Sequence, residues 1–152
     1  MTLAPTIRIQ TADFDAAVEI AALSAGRTDI GAVVTFSGVC RGGETAALTL
    51  EHYPGMAEAE IGRHAEEAIS RWPLTGLTII HRVGRILPGE NIVLVVTASA
   101  HRKAAFHAAE FLMDYLKANA PFWKHEETAD GTAWVEAHDS DDEAASRWSK
   151  TL

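Results

Sequence analysis

The sequence ASAHRKAAFHAAEFLMDYLKANAPFWKHE, residues 98–126, decides the fold. Its small and apolar side chains recur at spacings of three and four, which predicts an amphipathic helix; they are Ala105, Ala108, Ala109, Leu112 and Leu116. Ser99 is a candidate to cap the first free backbone N–H groups, and Pro121 prevents the helix from running further. We therefore expect a helix with basic residues at both ends.

The charges at the two ends of this helix indicate an anion-binding site. His101 and Arg102 fall in the first turn, where the free N–H groups favour an anion and not a cation. Lys117 and Lys124 frame a Pro-aromatic turn at the other end. A single lysine near a helix C-terminus usually makes only a favourable contact with the helix dipole. Two lysines together with a His-Arg pair favour a missing negative partner.

Length and composition bound the class of protein. The chain has 152 residues, of which 47% are hydrophobic, enough for one domain over residues 1–152 with 140–152 as a C-terminal helix and tail. One cysteine excludes an internal disulfide and favours a reducing compartment. No apolar run approaches about 20 residues, and the N-terminus does not resemble a secretion signal. We therefore expect a cytoplasmic protein.

The net charge of −8 argues against a nucleic-acid binder that works by bulk electrostatics. Residues 125–146 carry eight acidic residues and no Lys or Arg. The acidity is thus a feature of the C-terminal part, and the body of the chain can still hold a local basic pocket.

The remaining patterns predict strands and helices in no strict βαβ alternation, which favours an α+β fold. Residues 30–37 and 91–98 are predicted to be buried strands, the second covered on both faces. Further strands are predicted at residues 6–10, 46–53, 77–83 and 133–136. Further helices are predicted from a cap at Asp13 to near Gly26, over residues 56–72 and over residues 140–148.

Several familiar sites are not predicted. The loop at residues 38–43 lacks the Gly-Lys-Ser/Thr of a phosphate-binding loop and the glycine spacing of a dinucleotide site. The histidines do not pair at i and i+4, and the lone Cys40 offers no Cys-x-x-Cys, so no metal site is expected. Cys40 is a candidate nucleophile because Arg41 beside it would favour the thiolate, although a free cysteine at a strand end is more often simply buried.

The lysines are stronger candidates for chemistry. A lysine held among other cations has its pKa lowered toward neutrality and becomes a usable base or nucleophile. Lys117 and Lys124 would form such a field with Arg41, His101 and Arg102 if the fold brings them together. The same field would bind an anionic substrate, for which we expect a phosphate.

From Gly31 to Trp148 the chain resembles the large, catalytic subunit of molybdopterin synthase. The matching blocks are Gly31-Ala-Val-Val-Thr-Phe-Ser-Gly38 with Arg41, Leu48-Thr-Leu-Glu-His-Tyr-Pro-Gly-Met56, Ile80-His-Arg-Val-Gly84 with Pro88-Gly89-Glu90, Ser99-Ala-His-Arg102, Met113-Asp-Tyr-Leu-Lys117, Ala120-Pro-Phe-Trp-Lys124, Trp134-Val-Glu-Ala137 and Arg147-Trp148. Ordered blocks with fixed residues at their centres are highly specific.

The resemblance implies an α/β hammerhead-type fold, with a mixed or antiparallel sheet flanked by helices, and a homodimer within a heterotetramer. It also implies a partner, a small ubiquitin-like sulfur carrier whose Gly-Gly tail ends in a thiocarboxylate. The substrate would be cyclic pyranopterin monophosphate, which receives two sulfurs and becomes molybdopterin. No metal or organic cofactor is expected, since the carrier supplies the sulfur.

The resemblance also assigns roles to residues. Lys117 would be the essential catalytic residue, with Lys124 assisting it. Arg41, His101 and Arg102 would bind the anionic substrate, and the segment Lys124-His125-Glu126 would line the same pocket.

Two departures from the family pattern concern anion binding. Val39 stands where relatives often carry a basic residue, and His138 where relatives can carry an Arg. His125 likewise replaces a residue that is often basic. A histidine is only partly charged near neutral pH, so phosphate binding from such positions would be weaker or pH-dependent.

Two other readings stay open. In one, the chain is a non-catalytic adaptor that binds a ubiquitin-like carrier and presents it elsewhere. In the other, Cys40 accepts sulfur as a persulfide. The residues alone also leave open a covalent acyl adduct on Lys117.

Overall fold

The computed structural model describes residues 3–119, 121–135 and 139–150, and this part of the chain mixes strands and helices. The strands are β1 (Thr6–Gln10), β2 (Ala32–Val39), β3 (Ala47–His52), β4 (Leu74–Arg82), β5 (Gly84–Ile86), β6 (Asn91–Ser99), β7 (Phe122–Thr128) and β8 (Gly131–Val135). The helices are α1 (Ala16–Ser24), α2 (Met56–Arg71), α3 (Arg102–Ala118), α4 (Asp139–Ser146) and a 3₁₀ helix (Arg147–Lys150). The α+β class is therefore confirmed. None of these helices is long and apolar enough to cross a bilayer.

The first sheet is mixed and has the order β1-β4-β6-β2. β1 runs parallel to β4, and the other two pairs are antiparallel. β6 lies inside this sheet and is buried on both faces, as its almost wholly apolar sequence predicts. Val93 and Val95 face the main core, with α2 and α3, whereas Leu94 and Val96 face α1.

The strand predicted at residues 30–37 is shifted and lies in a different environment. It covers Ala32–Val39 and forms an edge of the sheet, with β6 as its neighbour. Three of its apolar side chains, Val33, Phe36 and Val39, are 38%, 39% and 48% exposed. The expectation of a buried strand was wrong because β-branched composition does not distinguish a central strand from an edge strand with exposed apolar side chains.

A second, antiparallel sheet has the order β5-β3-β7-β8. Leu48 and Leu50 of β3, which lies within the strand predicted at residues 46–53, face its small core with Cys40 and Ile86. The pattern of the sequence did not predict β5 or β7. β5 has only three residues, and β7 begins at the Phe-Trp pair that had been interpreted as a turn.

The ends of the helices differ in detail from the sequence prediction. The cap of α1 is Asp15, whose carboxylate accepts from the N–H groups of Ala17 and Val18. Asp13, the predicted cap, instead accepts from the Asn91 side-chain amide at 2.9 Å. α3 begins after its N-cap His101 and has no side-chain cap. Ser99 lies two residues before His101; its hydroxyl donates to the Pro73 carbonyl at 2.9 Å and accepts from the His101 N–H at 3.5 Å.

The other predicted boundaries are close to those observed. β4 starts at Leu74 instead of residue 77, and α2 ends at Arg71. The last predicted helix is divided into α4 and the 3₁₀ helix. The strand predicted at residues 133–136 corresponds to β8 as far as Val135, and Glu136 lies outside the described residues. α3 ends at Ala118, three residues before Pro121, as expected.

Candidate active site

Lys117 and Lys124 lie on either side of the turn that joins α3 to β7. Lys117 is exposed in the last turn of α3, and Lys124 is a half-buried residue of β7 that pairs with Leu50 of β3. Burial lowers the pKa of the Lys124 amine, and the positive charge of Lys117 lowers it further. Glu126, Cys40 and Asp141 act in the opposite direction. The two predicted catalytic lysines are therefore electrostatic neighbours.

His81 lies beside this pair, although the sequence analysis did not select it. Its imidazole is buried on β4, and Nδ1 donates to the Arg82 carbonyl at 2.9 Å. Burial lowers the pKa of His81 to about 4, with smaller effects of Lys117, His52 and Lys124. The histidine is therefore neutral near pH 7. Its place in the Ile-His-Arg-Val-Gly block was the signal that could have drawn attention to it.

Phe122 connects His81 to the lysines. Its ring stacks on the His81 imidazole with centroids 4.0 Å apart and planes 14° apart. The ring of His52, its partner in the β3–β7 register, lies 6.3 Å away. Phe122 is the first residue of β7, so this stack holds the point at which the chain enters the strand that carries Lys124.

Cys40 lies directly after β2. Its burial and its thiol pKa differ from those expected of a reactive nucleophile. It is only 2% exposed, and burial raises the pKa of its thiol. Lys124, not Arg41, is the cation that opposes this effect, while Glu90 and Glu126 reinforce it. A buried thiol with a raised pKa is a poor nucleophile near neutral pH.

Glu126 and His125 lie on different faces of β7. Glu126 shares the electrostatic surroundings of Lys124 and Cys40, and it accepts a hydrogen bond from the Thr45 hydroxyl. Because side chains alternate along a strand, His125 points to the other face. There its ring lies 3.4 Å from that of Trp134 and its Nε2 lies 3.8 Å from a Glu51 carboxylate oxygen. Within one chain, the side chain of His125 therefore lies on the face of β7 opposite to Lys124 and Glu126.

The other predicted anion-binding residues divide into two groups. Arg41 is exposed in the loop directly after Cys40. It therefore follows a residue whose thiol pKa the charge of Lys124 acts to lower. His101 and Arg102 are exposed at the opposite end of α3 from Lys117. The fifteen-residue separation between Arg102 and Lys117 corresponds to about 22 Å of helix at 1.5 Å per residue. One chain therefore does not bring these two residues into the same cleft.

Of the two residues that depart from the family pattern, Val39 and His138, the structure describes the first. Val39 is 48% exposed at the end of the edge strand β2. His138 lies outside the described residues.

Two cavities of the described part lie elsewhere. One, of about 440 Å³, lies between α1, β1 and β4, and the other, of about 200 Å³, lies between α2, α3 and the C-terminal segment. Neither is lined by Lys117 or Lys124. Among the described residues, no cluster of three or more His, Cys, Asp or Glu side chains could hold a metal ion. The lysine pair, with Lys117 exposed and Lys124 half-buried, therefore lies outside both of these cavities.

Comparison with known proteins gives the family. The model of the MoaE protein family matches residues 9–119. A protein of Mesorhizobium japonicum named molybdopterin synthase catalytic subunit is 69% identical over 150 residues, which is 96% of this chain and 94% of that protein. The molybdopterin biosynthesis MoaE protein from Burkholderia ambifaria superposes with a TM-score of 0.83 at 52% identity, over 96% of this chain and 99% of that one.

A more distant structure shares the fold. It is the complex of subunits 1 and 2 of the molybdopterin-converting factor from Helicobacter pylori, with a TM-score of 0.69 at 23% identity over 85% of this chain and 89% of that one. The family match covers most of the chain, and the close relatives match it over nearly their whole length. The chain therefore belongs to the MoaE protein family.

Proposed function

We propose that this protein is the catalytic subunit of a molybdopterin synthase, a sulfurtransferase of molybdenum cofactor biosynthesis. It transfers sulfur from the thiocarboxylate of a small carrier subunit to cyclic pyranopterin monophosphate. The name of its 69% identical relative supports this activity. The structural observation that carries it is the lysine pair, in which a half-buried Lys124 lies within the field of Lys117.

The lysine pair suits both reactants because both are anions. Lys117 and Lys124 attract the substrate phosphate and the C-terminal thiocarboxylate of the carrier, and an exposed site at a turn admits an extended peptide tail. The lowered pKa of Lys124 increases the fraction of neutral amine, which can accept a proton while sulfur attacks the substrate. The protonated amine stabilises the negative charge that develops on the substrate. In this assignment Lys117 is the essential residue, because its charge acts on both reactants and on Lys124, and Lys124 assists it by exchanging the proton.

We infer that a second copy of the chain completes the site. The helix length separates His101 and Arg102 from Lys117 by about 22 Å in one chain, so these residues reach a lysine pair only from another molecule. The exposed apolar side chains of the edge strand β2, among them Phe36, offer a surface on which two copies could meet. The complete enzyme would be a homodimer with one carrier on each copy.

The carrier subunit is proposed to be small and ubiquitin-like, with a Gly-Gly tail. The same fold occurs in a complex of subunits 1 and 2 of the Helicobacter pylori converting factor. The single cysteine favours a reducing compartment, and we place the reaction in the cytoplasm. His125 and Glu126 lie on β7 beside Lys124, where Glu126 moderates the field of the lysines.

The two alternatives are less well supported. A persulfide on Cys40 would require a thiol that is accessible and ionised, whereas this thiol is buried with a raised pKa. A non-catalytic adaptor would not explain a lysine whose neutral form is favoured both by burial and by the charge of Lys117.

The test is reconstitution with purified components. The chain, thiocarboxylated carrier and cyclic pyranopterin monophosphate are mixed, and molybdopterin is quantified. Wild-type protein is expected to turn over, and Lys117→Ala to remain folded but inactive. Arg63→Ala removes an exposed cation on α2 that pairs with Glu60, and serves as the control. Turnover by Lys117→Ala within a few-fold of wild type would remove Lys117 from the mechanism. Carrier binding without wild-type turnover would favour the adaptor.

A further inference from the structure

His81 is a buried polar group for which the proposed chemistry supplies no role. It is 7% exposed on β4. Because a carbonyl oxygen only accepts, the 2.9 Å contact with the Arg82 carbonyl fixes the proton of the neutral ring on Nδ1. The hydrogen bond satisfies one ring nitrogen and sets the orientation of the imidazole plane.

That plane supports Phe122. The two rings are nearly parallel and 4.0 Å apart, so the imidazole covers one face of the phenyl ring. Phe122 also packs against both the main core and the small core of the second sheet. Its neighbour Trp123 is 46% exposed and gives the turn little anchorage. Phe122 is thus the well-anchored side chain at the start of β7.

The position of this anchor determines the geometry of the lysine pair. Lys117 lies in the last turn of α3, and Phe122 opens the strand that carries Lys124 two residues later. A shift of Phe122 would change where β7 begins relative to the end of α3. The distance between the two amines would change with it.

The charges around His81 require its imidazole to be uncharged. The charged or titratable groups around His81 are Lys117 on α3, Lys124 on β7 and His52 on β3. The adjacent Arg82 guanidinium is turned to the Thr11 and Asn91 carbonyls and lies 3.5 Å from Glu90. A cationic side chain at position 81 would add a third positive charge beneath the lysines. A neutral imidazole supplies a flat, polarisable surface without that repulsion.

We propose that His81 is a positioning residue for sulfur transfer, acting through its stack on Phe122 to fix the spacing of Lys117 and Lys124. This inference rests on the proposed function for its kinetic consequence. Its structural consequence, the mutual field of the two amines, can be measured without turnover.

Two substitutions separate the ring from the hydrogen bond. His81→Asn keeps a donor for the Arg82 carbonyl and removes the ring, whereas His81→Phe keeps a ring and removes the donor. His64→Asn is the matched control, since His64 also contacts a carbonyl, of Glu60 at 3.0 Å, and stacks on an aromatic ring, Tyr115. The charges that act on His64 are those of Arg63, Glu67 and Glu60, not the lysines.

The measurements are ¹³C NMR titration of lysine Cε carbons and the steady-state rate with thiocarboxylated carrier and pterin. His81→Asn is expected to raise the pKa of Lys124 toward that of an ordinary lysine and to lower kcat about 10- to 100-fold, the range that a displacement near 1 Å produces. His81→Phe should stay within about 3-fold of wild type, and His64→Asn should match wild type in both measurements. Phe122→Leu should reproduce His81→Asn, and the double variant should lose no more than either single one.

The inference is overturned if His81→Asn keeps the wild-type Lys124 titration and rate, or if His81→Phe loses as much as His81→Asn. Should His81→Asn fail to fold by circular dichroism, Phe122→Leu decides, and a wild-type titration in that variant overturns the inference. A wild-type enzyme without turnover would refute the proposed function, while the titrations would still test the positioning role.

Discussion

The charge of Lys117 lowers the pKa of Lys124 across the turn between α3 and β7. Burial of Lys124 is the larger cause, so two independent effects favour its neutral form. The sequence predicts a lysine whose pKa is lowered by neighbouring cations, and in the structure Lys117 is the cation that has this effect on Lys124. This relationship gives the site a group that can exchange protons closer to neutral pH than an ordinary lysine.

Replacement of Lys117 by Met tests this relationship. Lys117→Met removes the charge but keeps a long side chain, so the pKa of Lys124 should rise while remaining below that of an ordinary lysine, because its burial persists. Titration of the Lys124 Cε carbon by NMR measures the change. The control Arg63→Ala should leave the titration unaltered. An unchanged Lys124 in Lys117→Met would show that the two amines do not interact.

The buried His81 predicts a pH dependence of stability. Its pKa of about 4 in the folded protein lies below the ordinary value of 6.5, so the unfolded chain binds the proton more readily between these two values. The stabilising contribution is therefore fully present above pH 6.5 and is lost as the pH falls to about 4, by about 3 kcal/mol in total.

Urea unfolding of wild type and His81→Phe at pH 7 and at pH 4.5 measures this contribution. Carboxylates that titrate in the same range affect both proteins equally. The wild type should lose more of its free energy of unfolding between the two pH values than His81→Phe does. Equal losses would mean that the imidazole accepts a proton in the folded state without penalty.

The sequence predicts the secondary structure of the first sheet better than that of the second. β6 is an almost wholly apolar run and α3 has an apolar pattern of period 3.6, and both were placed within a few residues. β7 has the sequence FWKHEET, whose charged residues do not indicate a strand. The strand is stabilised by pairing with β3 and β8. Pairing between distant segments leaves little mark on local composition.

The sequence supplies candidate residues for the site but not their arrangement. Lys117 and Lys124 were selected from their spacing around the Pro-aromatic turn, and in the structure the charge of Lys117 acts on Lys124. Arg102 belongs to the same helix as Lys117, yet a rigid helix of 17 residues holds the two apart. His81 was missed because a single histidine in an apolar strand is most often a core residue, and its contact with Phe122 depends on the tertiary structure.

Gly31 allows β2 to approach the start of α3 closely. A Cβ at this position would lie 2.1 Å from the carbonyl oxygen of Ala100, a backbone atom next to His101. Gly31→Ala should therefore lower the free energy of unfolding by about 2 kcal/mol or more. Gly42→Ala is the control, because its Cβ would meet the Pro88 side chain at an ordinary 3.5 Å. Equal stability of the two variants by urea unfolding would contradict the clash.

Cys40→Ser distinguishes the lysine mechanism from the persulfide. The thiol is buried with its Sγ 3.9 Å from the Ile86 carbonyl oxygen, and a hydroxyl fits the same space. We expect molybdopterin formation within about 2-fold of wild type and a stability loss of about 1 kcal/mol from burial of a more polar group. An inactive but folded Cys40→Ser would instead support sulfur transfer through this thiol.

Complementation between inactive copies tests whether two chains share a site. Lys117→Ala and Arg102→Ala are each expected to be inactive or nearly so. In a mixed dimer, one site combines both substitutions, whereas the other combines the intact Lys117 of one copy with the intact Arg102 of the other. The mixed dimer, purified through two different affinity tags, should therefore regain about half of the wild-type rate, which a reconstituted assay measures.

The pairing of Lys117→Ala with Lys124→Ala is the control for this experiment. Both lysines belong to the same end of the same chain, on either side of the turn before β7. Each site of that mixed dimer therefore lacks one lysine, and no recovery is expected. If the Lys117→Ala and Arg102→Ala mixture also fails to recover while the dimer forms normally, His101 and Arg102 do not act across the interface. The 22 Å span of α3 would then exclude them from the lysine site altogether.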